Sequence, residues 1–362
     1  MWLHGAHTFP ILLWFAVMGA QIFASHTMIT HISRHATDLA NATACHLQTV
    51  NAVGVKARKT VGNMPDSCRG GLNKFTSMHC MSQPPLDLSA GCNVVDIFDP
   101  SWYVGRHMKE IVLVGDSVME QLYRQMVCLV HASSPHRTAS KGRGLLVNPG
   151  DYKDNAVTYS RGLKKRSCRK ECYSFGSLRI CHYKSRADVL DAKVAPCLLQ
   201  ARPNDVYLFN VGVWHHRPET VTAAIINFRT FIHQAKANGH ILPRLAFRES
   251  SPQHFKTIGG HFASGPRGRG CLERQDTEAM AELEFRNRAA VSALKDLDID
   301  VMYMWELLKP WPQHHVGAAC RENENICDCT HWCESQPGSI MKAMAKLTLS
   351  DLLQTYFADT SV

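Results

Sequence analysis

The sequence contains no long run of like charge and no internal repeat, which argues against a nucleic-acid-binding protein and against a repeat protein. Charged residues make up 20% of the 362-residue chain, and the formal net charge is +9. The tight basic clusters are Lys164-Lys165-Arg166 and Arg267-Gly268-Arg269, which are more typical of solvated loops than of nucleic-acid sites. We therefore expect no nucleic-acid partner. Without a repeat, the chain is not predicted to be a solenoid or a propeller.

Long apolar runs are also scarce, and the one near the amino terminus is slightly short for a membrane span. It covers residues 9–24, against the roughly 20 residues that cross a bilayer. No Lys or Arg precedes it, and Ile22-Phe23-Ala24 is an acceptable cleavage site. We expect residues 1–25 to be either a signal peptide or an uncleaved membrane anchor. Both alternatives place the remaining chain in the secretory lumen.

Cysteine, in contrast, is abundant. Fourteen cysteines are many for a cytosolic enzyme and ordinary for an oxidising compartment, so we predict several disulfides without predicting their connectivity. Asn41-Ala42-Thr43 is a glycosylation acceptor that agrees with this compartment. We predict a flexible luminal stem over residues 26–67, a cysteine-containing subregion held by disulfides over residues 68–95, and the main domain over residues 96–362.

The main domain alternates strand-like and helix-like segments. Short apolar runs predict strands over residues 111–114, 178–183, 205–211, 245–247 and 299–304. Helical spacing predicts helices that begin near residue 117, that extend from residue 218 to a stop at Gly239, and that cover residues 276–294. Alternation of this kind predicts an α/β fold with a mostly parallel central sheet and helices on both faces.

Ser117 stands at the predicted turn between the first of these strands and the first helix. The turn reads Gly115-Asp116-Ser117. It puts a side chain at the carboxyl end of a strand and beside exposed helix N–H groups, which stabilise developing negative charge. Ser117 is therefore a candidate nucleophile. The alternative is a serine that only caps the helix.

Two further polar segments follow predicted strands at the same edge of the sheet, over residues 210–216 and 248–255. Asn210 is a candidate amide donor to an oxyanion, or a turn residue that bonds its own backbone. Trp214, His215 and His216 either line a sugar subsite or pack a loop. Arg248 and His254 are further candidates for substrate binding.

A carboxylate and an imidazole lie three residues apart near the carboxyl end, in Cys327-Asp328-Cys329-Thr330-His331-Trp332-Cys333. A nucleophilic serine needs an imidazole that takes its proton and a carboxylate that orients the imidazole, and Asp328 and His331 supply both. One alternative is a zinc site, but the Cys-x-Cys-x-His-x-Cys alternation suits a single tetrahedral ion poorly. Another is a purely structural disulfide knot.

The polar motifs occur in the order found in a known family. They are Gly115-Asp116-Ser117, Asn210-x-Gly212-x-Trp214, Arg248-x-x-Ser251-Pro252-x-His254-Phe255 and Asp328-x-x-His331-Trp332-Cys333. Over about residues 90–350 the chain resembles the plant trichome birefringence-like proteins and the wider PC-esterase family. The chain departs from the family at Val118, where Leu is usual, and at Glu120-Gln121-Leu122, where the family has Arg-Asn-Gln and Gln121 is a candidate for a shifted equivalent of its Gln.

The resemblance implies an SGNH-hydrolase-like three-layer sandwich and an enzyme of the Golgi lumen with a type II membrane anchor, or a secreted enzyme if the segment is cleaved. It also implies transfer of acetyl groups to polysaccharide or glycan hydroxyls. The family's catalytic serine matches Ser117, and its Asp-x-x-His pair matches Asp328 and His331.

From these residues we expect acyl transfer through an acyl-serine intermediate, with Asn210 and a backbone N–H at Ser117 or its neighbour binding the oxyanion. We expect no bound cofactor and no metal, with an acetyl donor such as acetyl-CoA as co-substrate. The expected partners are a glycan acceptor and, through residues 1–25, a membrane. A carbohydrate acetylesterase with the same triad and a non-catalytic polysaccharide-binding protein are the alternatives.

Overall fold

The computed structural model describes residues 47–49, 86–89, 92, 94, 98, 108–133, 170–175, 177–185, 194–215, 217–255, 262, 271, 285–318, 327–334 and 339–355. The chain divides into two compact units, residues 1–46 with 89–92 and residues 47–88 with 93–362. Ser89 and Cys92 are the described residues of the first unit, and the amide of Cys92 donates to the carbonyl of Ser89 at 2.9 Å. The apolar segment 9–24 lies outside the described residues. Among those that are described, no helix has both the length and the apolar character that a membrane crossing requires.

The second unit combines strands and helices. Its strands are β1 (Leu47–Thr49), β2 (Leu86–Leu88), β3 (Glu110–Gly115), β4 (Glu171–Phe175), β5 (Leu178–Lys184), β6 (Val206–Phe209), β7 (Arg244–Arg248) and β8 (Asp300–Met302). Its helices are α1 (Ser117–Ser133), α2 (Val194–Gln200), α3 (Pro218–Ala237), α4 (Phe285–Leu294), α5 (Trp305–Leu308) and α6 (Ile340–Thr355), with a 3₁₀ turn at Pro312–His314. Residues 276–284 of the third predicted helix lie outside the described residues.

The central sheet has six strands in the order β4-β5-β3-β6-β7-β8. β5, β3, β6, β7 and β8 are parallel, whereas β4 pairs antiparallel with β5 at the edge. The prediction of an α/β fold with a mostly parallel sheet is therefore confirmed. A separate two-stranded antiparallel pair joins β1 to β2. β1 falls in the predicted stem and β2 in the predicted cysteine-containing subregion. This pairing does not test the boundaries at residues 67 and 95, which stay predictions.

Helices cover both faces of β3, which explains its continuous apolar run. Val112 and Val114 belong to a buried cluster with apolar residues of α2, α3 and α4. Successive strand residues point to opposite faces, so Ile111 and Leu113 face the other side, and they are also fully buried. On that side α1 contacts β3 and β5 and packs against α6. A strand buried on both faces has no polar alternation.

The order of the parallel strands locates the edge at which a ligand binds in folds of this type. Numbered along the chain, the parallel strands lie in the order 2-1-3-4-5, with β3 as the first strand. In such sheets ligands bind outside the carboxyl ends of the strands, where the chain reverses its direction of winding. The residues after β3 and after β6 flank that point.

Disulfides are present, as the cysteine content predicts. Cys172 and Cys181 join β4 to β5, and Cys271 bonds Cys329 across a sequence separation of 58 residues. Every described cysteine is disulfide-bonded.

Candidate active site

Asp116, rather than Ser117, caps α1. The Oδ1 atom of this buried carboxylate accepts hydrogen bonds from the backbone N–H groups of Val118 at 2.9 Å and Met119 at 3.4 Å. These two groups are among the first four N–H donors of a helix, which have no partner within the helix. Since Asp116 performs the capping, the hydroxyl of Ser117 is left for another partner.

That partner is His331. Its Nε2 atom lies 2.6 Å from the Ser117 Oγ, and its Nδ1 atom lies 2.7 Å from Oδ2 of Asp328. With the proton on Nδ1 donated to Asp328, Nε2 is free to accept the hydroxyl proton of Ser117. The structure thus brings Ser117 together with Asp328 and His331, which lie more than 200 positions later in the chain.

Asp328 is held in place by its own loop. Its Oδ1 atom accepts hydrogen bonds from the backbone N–H groups of Thr330 at 3.1 Å and His331 at 3.0 Å. Burial raises the pKa of this carboxyl, but the hydrogen bonds and charge of His331 outweigh burial, so the pKa of Asp328 lies below its ordinary value. Asp328 is therefore ionised at neutral pH, the state that orients and stabilises a protonated imidazole.

Asn210 lies beside the serine turn. Its backbone N–H donates to the carbonyl of Val114 at 3.3 Å, which places Asn210 at the carboxyl end of β6 next to β3. A Cβ atom at Gly115 would lie 2.5 Å from Oδ1 of Asn210, so only glycine leaves room for this amide. Within the described part of the chain, the Asn210 side chain donates no hydrogen bond. Asn210 therefore lies against Gly115 of the serine turn with an NH₂ group that is not engaged by a described residue.

The N–H groups at the start of α1 are not equivalent as oxyanion donors. Those of Val118 and Met119 are directed to Asp116. The backbone N–H of Ser117 has no partner among the described residues. Ser117, rather than its neighbour, is therefore the backbone donor that this geometry favours, together with Asn210.

The loop after β6 is tied to the serine turn through the second oxygen of Asp116. The N–H of Val213 donates to Oδ2 of Asp116 at 2.8 Å. Gly212 has a φ of +72°, and a Cβ there would lie 3.0 Å from that oxygen, which explains the glycine. Trp214 follows with 51% of its surface exposed, whereas His215 is buried and its carbonyl accepts a hydrogen bond from Nε of Arg286 at 2.6 Å. His216 lies outside the described residues.

Arg248 is placed in the protein interior. Its Nη2 atom donates to Oγ of Ser251 at 3.1 Å, and its Nη1 atom faces Sδ of Met119 at 3.7 Å. The side chain is fully buried, and burial lowers the pKa of the guanidinium to about 10 against the opposing charges of Asp116 and Glu249. Its predicted role in substrate binding stays a prediction.

His254 is also buried, in a pair with His315. Its Nδ1 atom lies 2.6 Å from Nε2 of His315, and its Nε2 atom lies 3.0 Å from the carbonyl of Lys309. Burial lowers the pKa of His254 to about 4. The structure places His254 behind the loop that carries His331, since its backbone N–H donates to the carbonyl of Cys329 at 3.0 Å. Its predicted contact with substrate also stays a prediction.

Two residues at this site were not among the sequence candidates. Nδ1 of His315 lies 3.0 Å from the carbonyl of His331, and the side-chain amide of Gln121 bonds the backbone of Trp332. For Gln121 the local signals were its spacing of four residues from Ser117, which puts both on the same face of a helix, and its nearness to the position of the Gln in the family motif. For His315 the sequence carries no local signal.

The sulfur atoms near the site are not metal ligands in this structure. Cys327, Cys329 and Cys333 are disulfide-bonded, so they offer no thiolate to zinc. Elsewhere, ligand atoms of Glu110, Cys172 and Cys181 lie within 4.8 Å of one another, but the two cysteines form a disulfide.

Comparison with known proteins adds no assignment. No family model matches this chain. No curated protein matches its sequence. The resemblance to the PC-esterase family therefore rests on the four motifs, and membership of that family stays a prediction.

Proposed function

We propose that this protein is a serine-dependent O-acyltransferase that transfers an acyl group, acetyl in the first instance, to a hydroxyl of a glycan. The observation that carries the proposal is the chain of contacts from Ser117 Oγ to His331 Nε2 at 2.6 Å and from His331 Nδ1 to Asp328 Oδ2 at 2.7 Å. This arrangement activates a serine for nucleophilic attack. The SGNH-hydrolase-like form of the α/β fold is part of the proposal, and the 2-1-3-4-5 strand order supports it.

In the first half of the reaction, Ser117 Oγ attacks the carbonyl carbon of the acyl donor while His331 Nε2 takes the hydroxyl proton. The negative charge that develops on the carbonyl oxygen is stabilised by the Ser117 N–H and the Asn210 side-chain amide. Collapse of the tetrahedral intermediate breaks the bond to the leaving group, which receives the proton from His331. Ser117 then carries the acyl group as an ester.

In the second half, a glycan hydroxyl replaces the leaving group. His331 Nε2 takes its proton, the glycan oxygen attacks the acyl carbon, and Ser117 Oγ recovers the proton as it departs. Asp328 remains ionised throughout, because its pKa lies below the ordinary value. The imidazolium that forms in each half therefore has a carboxylate partner.

The proposed substrates are an activated acyl donor and a carbohydrate acceptor. A thioester such as acetyl-CoA is a donor of suitable chemistry and acts as a co-substrate. The exposed indole of Trp214 lies in the loop that Asp116 ties to the serine turn, and an aromatic ring suits the apolar face of a sugar. Disulfides throughout the described residues support a secretory compartment, and we place the protein in the Golgi lumen, anchored through residues 1–25.

Carbohydrate acetylesterase is the second candidate, and a specific observation favours it. The side chains of His331 and Asp328 are 16% and 33% exposed, so water reaches the triad. Hydrolysis and transfer share every step up to the acyl-serine, and exclusion of water by a bound acceptor separates them.

The experiment that tests the proposal follows an activated acetyl ester in the presence of the full-length protein, with and without added oligosaccharides. A transferase yields acetylated oligosaccharide in proportion to ester consumed, whereas an esterase yields acetate and is insensitive to the acceptor. The Ser117→Ala variant should lose activity by several orders of magnitude while it still binds oligosaccharide. Unchanged turnover in that variant would eliminate both enzymes, and retained binding without turnover by the unmodified protein would indicate a binding protein.

A further inference from the structure

We propose that Gln121 is a positioning residue that holds His331 within hydrogen-bonding distance of Ser117. The inference rests on the proposed function, because it assigns a role in the same site. Gln121 touches no reacting atom, and its contribution passes through the backbone of Trp332.

The side chain of Gln121 forms hydrogen bonds with both the backbone carbonyl and the backbone N–H of Trp332. Its Nε2 atom donates to the carbonyl of Trp332 at 2.9 Å, and its Oε1 atom accepts from the N–H of Trp332 at 3.2 Å. The side chain is fully buried, as is that of Trp332. Hydrogen bonds in such surroundings are strengthened by the low dielectric, and a buried polar group that loses its partner is destabilising.

The contact between Gln121 and Trp332 lies next to the contact between Ser117 and His331. Ser117 and Gln121 are four residues apart on one face of α1. His331 and Trp332 are neighbours in the facing loop. The Gln121–Trp332 and Ser117–His331 contacts therefore lie side by side, one buried and one partly exposed. The buried contact fixes the distance at which the exposed contact operates.

The rest of the loop is supported from a different part of the fold. The Trp332 ring stacks on His315 with 3.9 Å between ring centroids, and Nδ1 of His315 bonds the His331 carbonyl. The backbone N–H of Val316 also donates to that carbonyl at 3.0 Å. These contacts tie the loop to residues 314–317, whereas Gln121 ties it to the helix that carries the nucleophile. Without Gln121, the loop keeps its internal shape but is less firmly held relative to Ser117.

The test compares Gln121→Met with a matched control in the full-length protein. Methionine keeps the length of the side chain and removes both hydrogen bonds. Asn287→Leu is the control, because the buried Asn287 amide accepts from the N–H of Ser250 at 2.8 Å and donates to its carbonyl at 3.2 Å. The control therefore removes the same pair of bonds from a loop that carries no member of the triad. Thermal denaturation verifies that both variants fold.

The inference predicts a split between kcat and KM in the turnover of an activated acetyl ester. We expect kcat of Gln121→Met to fall about 10- to 100-fold with KM little changed, since small displacements of a catalytic group have effects of that size. We expect Asn287→Leu to lose comparable stability and to keep kcat within about threefold of the unmodified protein. Equal kcat in Gln121→Met and the unmodified protein, or equal losses in the two variants, would overturn the inference.

A second readout does not depend on activity. In protein labelled with ¹⁵N at histidine, Ser117→Ala should shift the Nε2 resonance of His331, because it removes the partner of that atom. In the Gln121→Met background, the same substitution should produce a much smaller shift. An undiminished shift would overturn the inference even if the protein turned over no ester. Absence of turnover combined with the predicted loss of the shift would instead reject the proposed function and retain the positioning role.

Discussion

At the scale of single residues, the site depends on which hydrogen-bond partner each polar group already has. Asp116 uses both carboxylate oxygens, one for the first turn of α1 and one for Val213. This leaves the hydroxyl and N–H of Ser117 for the reaction. The sequence indicated a serine at a strand-to-helix turn, but it did not indicate that the preceding residue would do the capping, because serine and aspartate are both good N-caps.

The first residue-scale prediction concerns Asn210. Replacement by Ala should lower kcat for acyl transfer by about 10²- to 10³-fold, the range for loss of one oxyanion donor. Asn210→Asp is the matched control, because it keeps the shape and removes the donor, and it should be at least as impaired. Steady-state kinetics with an activated acetyl ester measures both. Near-normal kcat in either variant would exclude Asn210 as a donor.

The second residue-scale prediction concerns Trp214. Because its indole is 51% exposed, Trp214→Ala should leave folding and acylation of Ser117 unchanged. It should raise KM for an oligosaccharide acceptor by about tenfold, which corresponds to the loss of one buried aromatic contact in the complex. Acceptor titrations at fixed donor concentration measure the effect. An unaltered acceptor KM would remove Trp214 from the proposed sugar site.

At the scale of elements, the strands that lie inside the sheet were the easiest to predict. The strands predicted at 111–114, 178–183 and 245–247 correspond to β3, β5 and β7. The signal is clearest for β3, because burial on both faces leaves a continuous hydrophobic run. The strand predicted over 205–211 ends at Phe209, where the chain turns toward Asp116. β4 was not predicted, because it is a half-buried edge strand paired with one neighbour and joined to it by a disulfide.

The supporting contacts of the site were not predictable from any element alone. Gln121 and Trp332 are separated by 211 positions, and no local pattern marks such a pair. The burial of Arg248 is a second example, because an arginine at a strand end is ordinarily solvated. The juxtaposition of Ser117 and His331 was expected because a nucleophilic serine needs an imidazole oriented by a carboxylate and because the motifs resembled a family that uses both.

An element-scale prediction follows from the disulfide between Cys271 and Cys329. Cys329 is the residue after Asp328, so this bond anchors the loop of the triad. Replacing both cysteines by Ser should lower the free energy of unfolding by about 4 kcal/mol, from the loop-closure entropy of a bond across 58 residues. Chemical denaturation measures this loss, and the double Cys172→Ser, Cys181→Ser variant is the control, because that disulfide joins β4 to β5 and does not hold the loop of the triad. If the Cys271–Cys329 bond also positions the triad, its loss should lower acyl-transfer activity more than loss of the Cys172–Cys181 bond. Equal activity losses in the two double variants would contradict that role.

At the scale of the whole molecule, buried neutral histidines make stability depend on pH. Burial lowers the pKa of His182 and of His314 to about 4 from an ordinary value of 6.5. In the unfolded chain these rings bind protons below pH 6.5, whereas in the folded protein they do so only near pH 4. The unfolded state therefore binds more protons in this window, and stability falls as the pH falls.

The pH prediction is a loss of roughly 3 kcal/mol per histidine in the free energy of unfolding between pH 6.5 and pH 4. Urea denaturation at pH 7, 5.5 and 4.5 measures the slope. His182→Phe should reduce the slope, since it removes one of the buried histidines that titrate in this range and keeps an aromatic ring beside Tyr123. A free energy of unfolding that stays constant over this range would contradict the assignment of neutral buried rings.

The central claim is that Ser117 carries the acyl group, and the most direct test is intact-mass analysis of the full-length protein after incubation with an activated acetyl ester. The account predicts a mass increase of one acetyl group that peptide mapping assigns to Ser117 and that Ser117→Ala abolishes. It also predicts that an oligosaccharide acceptor accelerates loss of the adduct. An adduct on another residue, or one that persists in Ser117→Ala, would contradict the account.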